Sequence, residues 1–158
     1  MPRDLPQPTV DDIRSLIDSQ IHLEGPLLPI LHAIHEDYGH IPAMAVPLIA
    51  DALNITRAEV HGVVSFYHDF RENVAGRHVV KLCRAEACQA MGATAVAEAM
   101  LSKLGIDWHD TTPDGAVTVE PVYCLGLCSC APAAMVDGKV VGRVDAERIG
   151  RILAEAGA

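Results

Sequence analysis

The residues in this chain with the most chemistry to offer are its five cysteines, all of which lie after residue 82. Four of them fall into two pairs, Cys83-x4-Cys88 and Cys124-x3-Cys128, with 35 residues between the pairs. Two thiolate pairs brought to one place can hold a zinc ion or an iron–sulfur cluster. The spacing bears on the choice. Structural zinc favours tight pairs, typically with two residues between the cysteines. Wider pairs suit a binuclear iron group in which each pair serves one iron. Neither pair reproduces the plant-type ferredoxin run or the bacterial four-iron run. A thiol–disulfide site would call for C-x-x-C, which the chain lacks. The remaining structural reading is four buried thiols acting as small hydrophobes. Cys130, the fifth cysteine, could serve as a spare ligand or as a neighbour of the ligands, but is expected to be a buried spectator; a disulfide to Cys128 would strain the loop between them.

The residues around the pairs fit a sulfur-rich centre. Gly126 lies between Cys124 and Cys128, and Gly92 follows Cys88. Glycine lets peptide N–H groups come close to sulfur, and such contacts tune a cluster together with burial and charge. Leu125, Leu127, Ala131 and Ala133 would form a partly dry shell, with Pro132 stiffening the loop exit. Other chemistry is not visible. Six of the eight histidines precede residue 72. His32 and His35 share a helix face, as do His61 and His68, but no carboxylate or cysteine completes a ligand set. They read as solvated or core histidines. There is no Ser/His/Asp set, and Gly138–Gly142 reads as a hairpin rather than a phosphate cradle. No substrate-converting site is expected within this chain.

Secondary structure must bring the pairs together. The first half reads as four short helices. Thr9 caps the first, with Asp11 and Asp12 in its opening turn and Ile13, Leu16 and Ile17 on one face. Pro26 opens the second, which Gly39 stops. The third follows Pro42 and runs to about Leu53. Thr56 and Glu59 form a capping box for the fourth, read through Phe70. Near Gly76 the periodicity changes. The alternating, β-branched run RHVVKLCR predicts a strand ending at Cys83. A helix from Gly92 to Leu104 follows, then a strand AVTVEPVYC ending at Cys124. The stretch AMVDGKVVGRV predicts a hairpin turning at Asp137-Gly138, and Asp145 caps a closing helix. The order β-α-β-β-β-α implies a mixed sheet flanked by helices. The fold class is therefore α/β, with an N-terminal helical domain over residues 1–75 and a second domain over 76–158.

Composition limits the function. Half the residues are hydrophobic and only 4% aromatic, so the core must come from Ala, Val, Leu and Ile. The net charge of −9 is concentrated before residue 73, where 11 acids face 4 bases. An acidic chain repels phosphate backbones, so nucleic-acid binding is not expected. The acidic face is either a solvated surface or a dock for a basic partner. No apolar run reaches the roughly 20 residues of a membrane span, and the N-terminus lacks a secretory signal. A cytoplasmic location follows, where thiols stay reduced and clustered cysteines point to metal or redox chemistry.

Two stretches carry a family resemblance: GVVSFYHDFRENVAGRHVVKLCRAEACQAMGA and VYCLGLCSCAPAAMVDGKVVGRV. They resemble the thioredoxin-like [2Fe–2S] subunits of NADH-linked redox complexes. These include the small flavoprotein-partner subunit of respiratory complex I, diaphorase subunits of NAD-linked hydrogenases, and the gamma subunit of NAD-dependent, molybdenum-containing formate dehydrogenase. The resemblance runs from about Ile13 to Ala154 and implies a helical part followed by a thioredoxin-like domain. It implies one [2Fe–2S] cluster on Cys83, Cys88, Cys124 and Cys128. It also implies a partner subunit holding FMN, NAD and a [4Fe–4S] cluster, and beyond that a larger molybdenum and iron–sulfur subunit. The CLGLCSCAPA loop with Cys130 and the short chain are most similar to the formate dehydrogenase branch. One departure is the first loop, Arg84-Ala85-Glu86-Ala87, where the family usually has Gly-Thr. This alters hydrogen bonding near the cluster rather than the ligands. The expected role is a one-electron relay within an oxidoreductase complex. The reading of another class is a structural zinc module for protein binding.

Overall fold

A computed structural model describes residues 6–157. Residues 1–5, with which the expected first domain begins, and Ala158 lie outside the described residues. The chain divides into two compact units that part between Val74 and Ala75.

The first unit is helical: α1 (Val10–Gln20), α2 (Leu27–Tyr38), α3 (Ala45–Leu53) and α4 (Arg57–Phe66). Thr9 caps α1 by accepting from the Asp12 N–H, and Gly39 closes α2 at a φ of 68°. Two boundaries differ from the sequence reading. α3 begins at Ala45 rather than beside Pro42, because the Pro42 carbonyl first accepts the Ala45 N–H in a turn. α4 ends at Phe66 instead of Phe70. Tyr67 becomes extended there, and the turn that follows carries the Phe70 ring into the core, 5.0 Å from the His32 ring. The core is aliphatic, as the composition requires: Ile13, Ile17, Ile30, Leu31, Ile34, Ile49, Val60 and Val64 are all buried. Each such side chain contributes about 1.5–3 kcal/mol by leaving water.

The second unit holds β1 (His78–Cys83), α5 (Glu86–Ala90), α6 (Ala93–Leu104), β2 (Val117–Val122), β3 (Ala133–Val136), β4 (Lys139–Gly142) and α7 (Ala146–Ala156). The sheet order is β2-β1-β3-β4. β2 runs parallel to β1, while β3 is antiparallel to β1 and β4 antiparallel to β3. The parallel pair needs a crossover, and α5 and α6 supply it. The sheet is mixed and helix-flanked, as the order of elements implies. One face carries Val80, Leu82, Val117, Val119, Ala134 and Val136 in a core shared with Ala97 and Met100 of α6 and Ile149 and Leu153 of α7. The β3–β4 turn places Asp137 at φ 48° and Gly138 at 79°, the two positive angles of a tight hairpin turn. Asp137 also accepts the Val79 N–H at 2.9 Å and sits 2.7 Å from His78 Nδ1, which ties the turn to β1. Two elements escaped the sequence reading: α5, and a segment through Thr111 that pairs with the outer edge of β2 at Thr118. Among the described residues no helix is long and apolar enough to cross a membrane.

The capping box on α4 is complete, with Thr56 accepting the Glu59 N–H and the Glu59 carboxylate accepting the Thr56 N–H at 2.8 Å. Thr56→Ala is expected to lower stability by about 1 kcal/mol in chemical denaturation. The Thr56 backbone and hydroxyl bonds hold Glu59 below its ordinary carboxyl pKa of 4.5. This contribution is whole above pH 4.5 and is lost as pH falls through the lowered value. Glu59→Gln should therefore destabilise the chain at neutral pH, and its denaturation curve should merge with wild type in acid.

Candidate metal centre

Sheet topology decides where the cysteines go. Cys83 is the last residue of β1, and Val122, the last residue of β2, lies beside it in register. On the other side of β1, Ala134 of β3 lies beside Leu82. A chain leaving β2 must therefore pass over the C-terminal end of β1 to reach β3. That crossing, residues 123–132, holds Cys124, Cys128 and Cys130. Cys88 returns to the same place on α5. β2 was expected to run to Cys124; it ends at Val122, and Cys124 leaves the ladder at a φ of 103°. A side chain at such an angle costs about 1–3 kcal/mol and marks a position the surroundings enforce.

The four paired cysteines stand in unlike surroundings. Cys83 and Cys88 are each 2% exposed and share a small apolar cluster with Ala93, Ala131 and Ala133, which Leu125 and Leu127 help to cover. Cys124 and Cys128 are exposed, with their sulfurs 4.0 Å apart. Peptide N–H groups point at the sulfurs. Gly126, at φ 75°, brings its N–H to 3.4 Å from Cys124 Sγ. Burial pushes the Cys83 thiol up. The Ala85 N–H, the Cys88 thiol and the N–H groups of Cys124 and Leu125 outweigh it and hold Cys83 below the ordinary thiol value. Cys88 is raised, first by burial and then by its bond to Cys83, with the Ala133 N–H opposing. Cys128 is raised chiefly by its bond to Cys124. The electrostatics also link the pairs across the centre, since the charges of both Cys83 and Cys128 act on Cys88.

The thiols stand as two pairs rather than around one point. Among the described residues, no three His, Cys, Asp or Glu side chains form a group placed to hold a single ion. The Arg84–Ala87 loop that departs from the expected Gly-Thr leads into α5. Its start at Ala85 has no side-chain cap, and the Ala85 N–H is among those held against Cys83. Arg84 also lies over the Trp108 ring at 5.1 Å. Cys130 differs from expectation. It is half-buried rather than buried, because its turn lies at the surface while its backbone is gripped by the end of β4. Of the helical histidines, His61 and His68 are exposed, and His32 packs edge-on against Phe70.

The model of one known protein family matches residues 13–157. The chain belongs to the thioredoxin-like [2Fe–2S] ferredoxin family. Among relatives, the NADP-reducing hydrogenase subunit HndA of Solidesulfovibrio fructosivorans is 36% identical over 151 residues, covering 96% of this chain and 88% of that one. An NADH-quinone oxidoreductase subunit of Pseudomonas aeruginosa is 33% identical over 144 residues, covering 89% and 87%. Among solved structures, an air-oxidised NAD+-reducing [NiFe]-hydrogenase superposes with a TM-score of 0.66 at 26% identity. That match covers 82% of this chain and only 22% of the longer hydrogenase chain.

The cofactor of the family is a [2Fe–2S] cluster, and the residues present fit it. A binuclear cluster bridged by sulfides asks two thiolates of each iron, and the chain offers two pairs with peptide N–H groups on their sulfurs. The strained Cys124 leads to a stability prediction. Cys124→Gly should make the metal-free chain more stable by about 1 kcal/mol, since glycine accepts positive φ, whereas Cys124→Ser should change it little. Urea titrations of the metal-free variants would measure both.

Proposed function

We propose that this chain is the [2Fe–2S] electron-transfer subunit of an NAD-linked oxidoreductase complex, with Cys83, Cys88, Cys124 and Cys128 as the cluster ligands. The observation that carries this reading is the meeting of two cysteine pairs over the end of β1 in a member of this family. A [2Fe–2S] cluster supplies one-electron uptake and release. The chain supplies the setting. Cys83 and Cys88 anchor the buried side, peptide N–H groups offset negative charge on the sulfurs, and Leu125 and Leu127 limit water. Cys124 and Cys128 lie on the exposed side, where a partner's redox group has access.

In this reading residues 76–158 are the cluster domain, and the acidic residues 1–75 are a helical domain that serves partner binding. The partner is a flavoprotein subunit with FMN, an NAD site and a [4Fe–4S] cluster, in the cytoplasm. The parent complex is an NAD-dependent formate dehydrogenase, with a larger molybdenum and iron–sulfur subunit beyond the flavoprotein. The Cys130-bearing loop supports that choice. A hydrogenase diaphorase or a respiratory NADH dehydrogenase is the second reading, favoured by the names of the relatives above.

Anaerobically purified protein should be coloured, with two irons and two sulfides per chain, and should show a paramagnetic signal on reduction that is absent when oxidised. Serine at Cys83, Cys88, Cys124 or Cys128 should abolish that signal or change it, while Cys130→Ser should leave it intact. A colourless protein with bound zinc would overturn the proposal, and cluster loss in Cys130→Ser would overturn the ligand set. Purification with its partners would identify the complex: formate-driven NAD+ reduction supports the first parent, and hydrogen-driven NAD+ reduction or NADH-driven quinone reduction the second.

A further inference from the structure

The grip of β4 on the cysteine loop depends on one residue. A Cβ placed on Gly142 would stand 2.7 Å from Cys130 Cβ and 2.8 Å from the Cys130 carbonyl oxygen. Real Cβ atoms essentially never come that close, and both atoms belong to parts of Cys130 that cannot swing aside. The contact therefore demands glycine for space, since Gly142 is not among the residues at positive φ. The next two residues fasten the same loop. The Arg143 N–H donates to the Cys130 carbonyl at 2.6 Å, and the Val144 N–H donates to the Pro132 carbonyl at 3.0 Å. α7 braces the strap from behind. Arg148 Nη1 donates to the carbonyls of Gly142 at 2.8 Å and Arg143 at 3.3 Å, and its own N–H is fixed by the Asp145 carboxylate at 2.7 Å. The strapped segment is the turn Cys128–Cys130, in which the Cys130 N–H donates to Leu127 and the Ala131 N–H to Cys128. A shift at Cys130 is thereby passed to Cys128 through one turn of backbone.

We infer that Gly142 is a positioning residue for the cluster: by letting β4 close onto Cys130, it sets where the Cys128 sulfur stands. This rests on Cys128 being a ligand, as proposed above. A β-carbon at residue 142 would push the turn outward by several tenths of an ångström. Ligand misplacement of that size changes how firmly a metal group is held and how its electrons are distributed.

The test compares wild type, Gly142→Ala and Gly150→Ala, purified anaerobically as full chains. Gly150 lies on α7, where an added Cβ meets only the flexible end of Lys103 at 3.3 Å, so its variant controls for glycine loss in general. Gly142→Ala should keep its circular dichroism yet show shifted paramagnetic resonance lines and release iron to a chelator severalfold faster, while Gly150→Ala matches wild type. Wild-type lines and release rates in a folded Gly142→Ala would overturn the inference. If Gly142→Ala does not fold, Arg148→Met decides by the same two readouts: shifted lines or faster release support the strap, and wild-type behaviour overturns it. Cys128→Ser separates the two readings. If it keeps the wild-type iron content and spectrum, Cys128 is not a ligand and both readings fall; if it loses them while Gly142→Ala is normal, only the positioning role falls.

Discussion

The position of β1 between β2 and β3 is the constraint on which the rest of the site depends. Once β2 pairs parallel on one side and β3 antiparallel on the other, the connection between them has no path except across the end of β1. The first cysteine sits at that end. Residues far apart along the chain are thus brought together by strand pairing, which is driven by burial of Val80, Val119 and their neighbours rather than by affinity between sulfurs. The hydrophobic core builds the rim, and the rim carries the chemistry.

The rim is not neutral toward its thiols. Three peptide N–H groups, from the loops at Ala85 and at Cys124–Leu125, point at Cys83, and together with the Cys88 thiol they outweigh the cost of burying a charge. Cys88 next to it moves the other way, because it is equally buried and its bond to Cys83 favours the neutral thiol. Cys124 is held at a backbone angle that its own side chain disfavours. Strain and buried polarity of this kind are tolerated where surrounding structure over-determines the site. Here that structure includes a β4 strap with its arginine brace and an alanine-rich floor.

The helical unit shows the same economy of means. It fills its core mainly with isoleucine, leucine and valine. Of its two buried aromatic rings, Tyr38 comes from α2 and Phe70 from a turn rather than a helix.

Local chemistry was legible in the sequence. Caps at Thr9, Thr56 and Asp145, stops at Gly39 and Gly105, and the turn at Asp137-Gly138 each act within a few residues, so a linear reading reaches them. The paired cysteines and the aliphatic core could likewise be read, because residue type and spacing carry them. Tertiary structure decided the rest. The ends of α4 and β2 depend on what Phe70 and Cys124 meet in space, so helical and strand periodicity ran past both. α5 is a single short turn of helix with no side-chain cap, held by contacts that its own residues do not announce. The glycine at position 142 reads as an ordinary strand residue until Cys130, twelve residues earlier, is found against its backbone. Spacing along the chain names the atoms that could bind a cluster. Which of them meet, and at what angle, follows only from the order in which the strands pair.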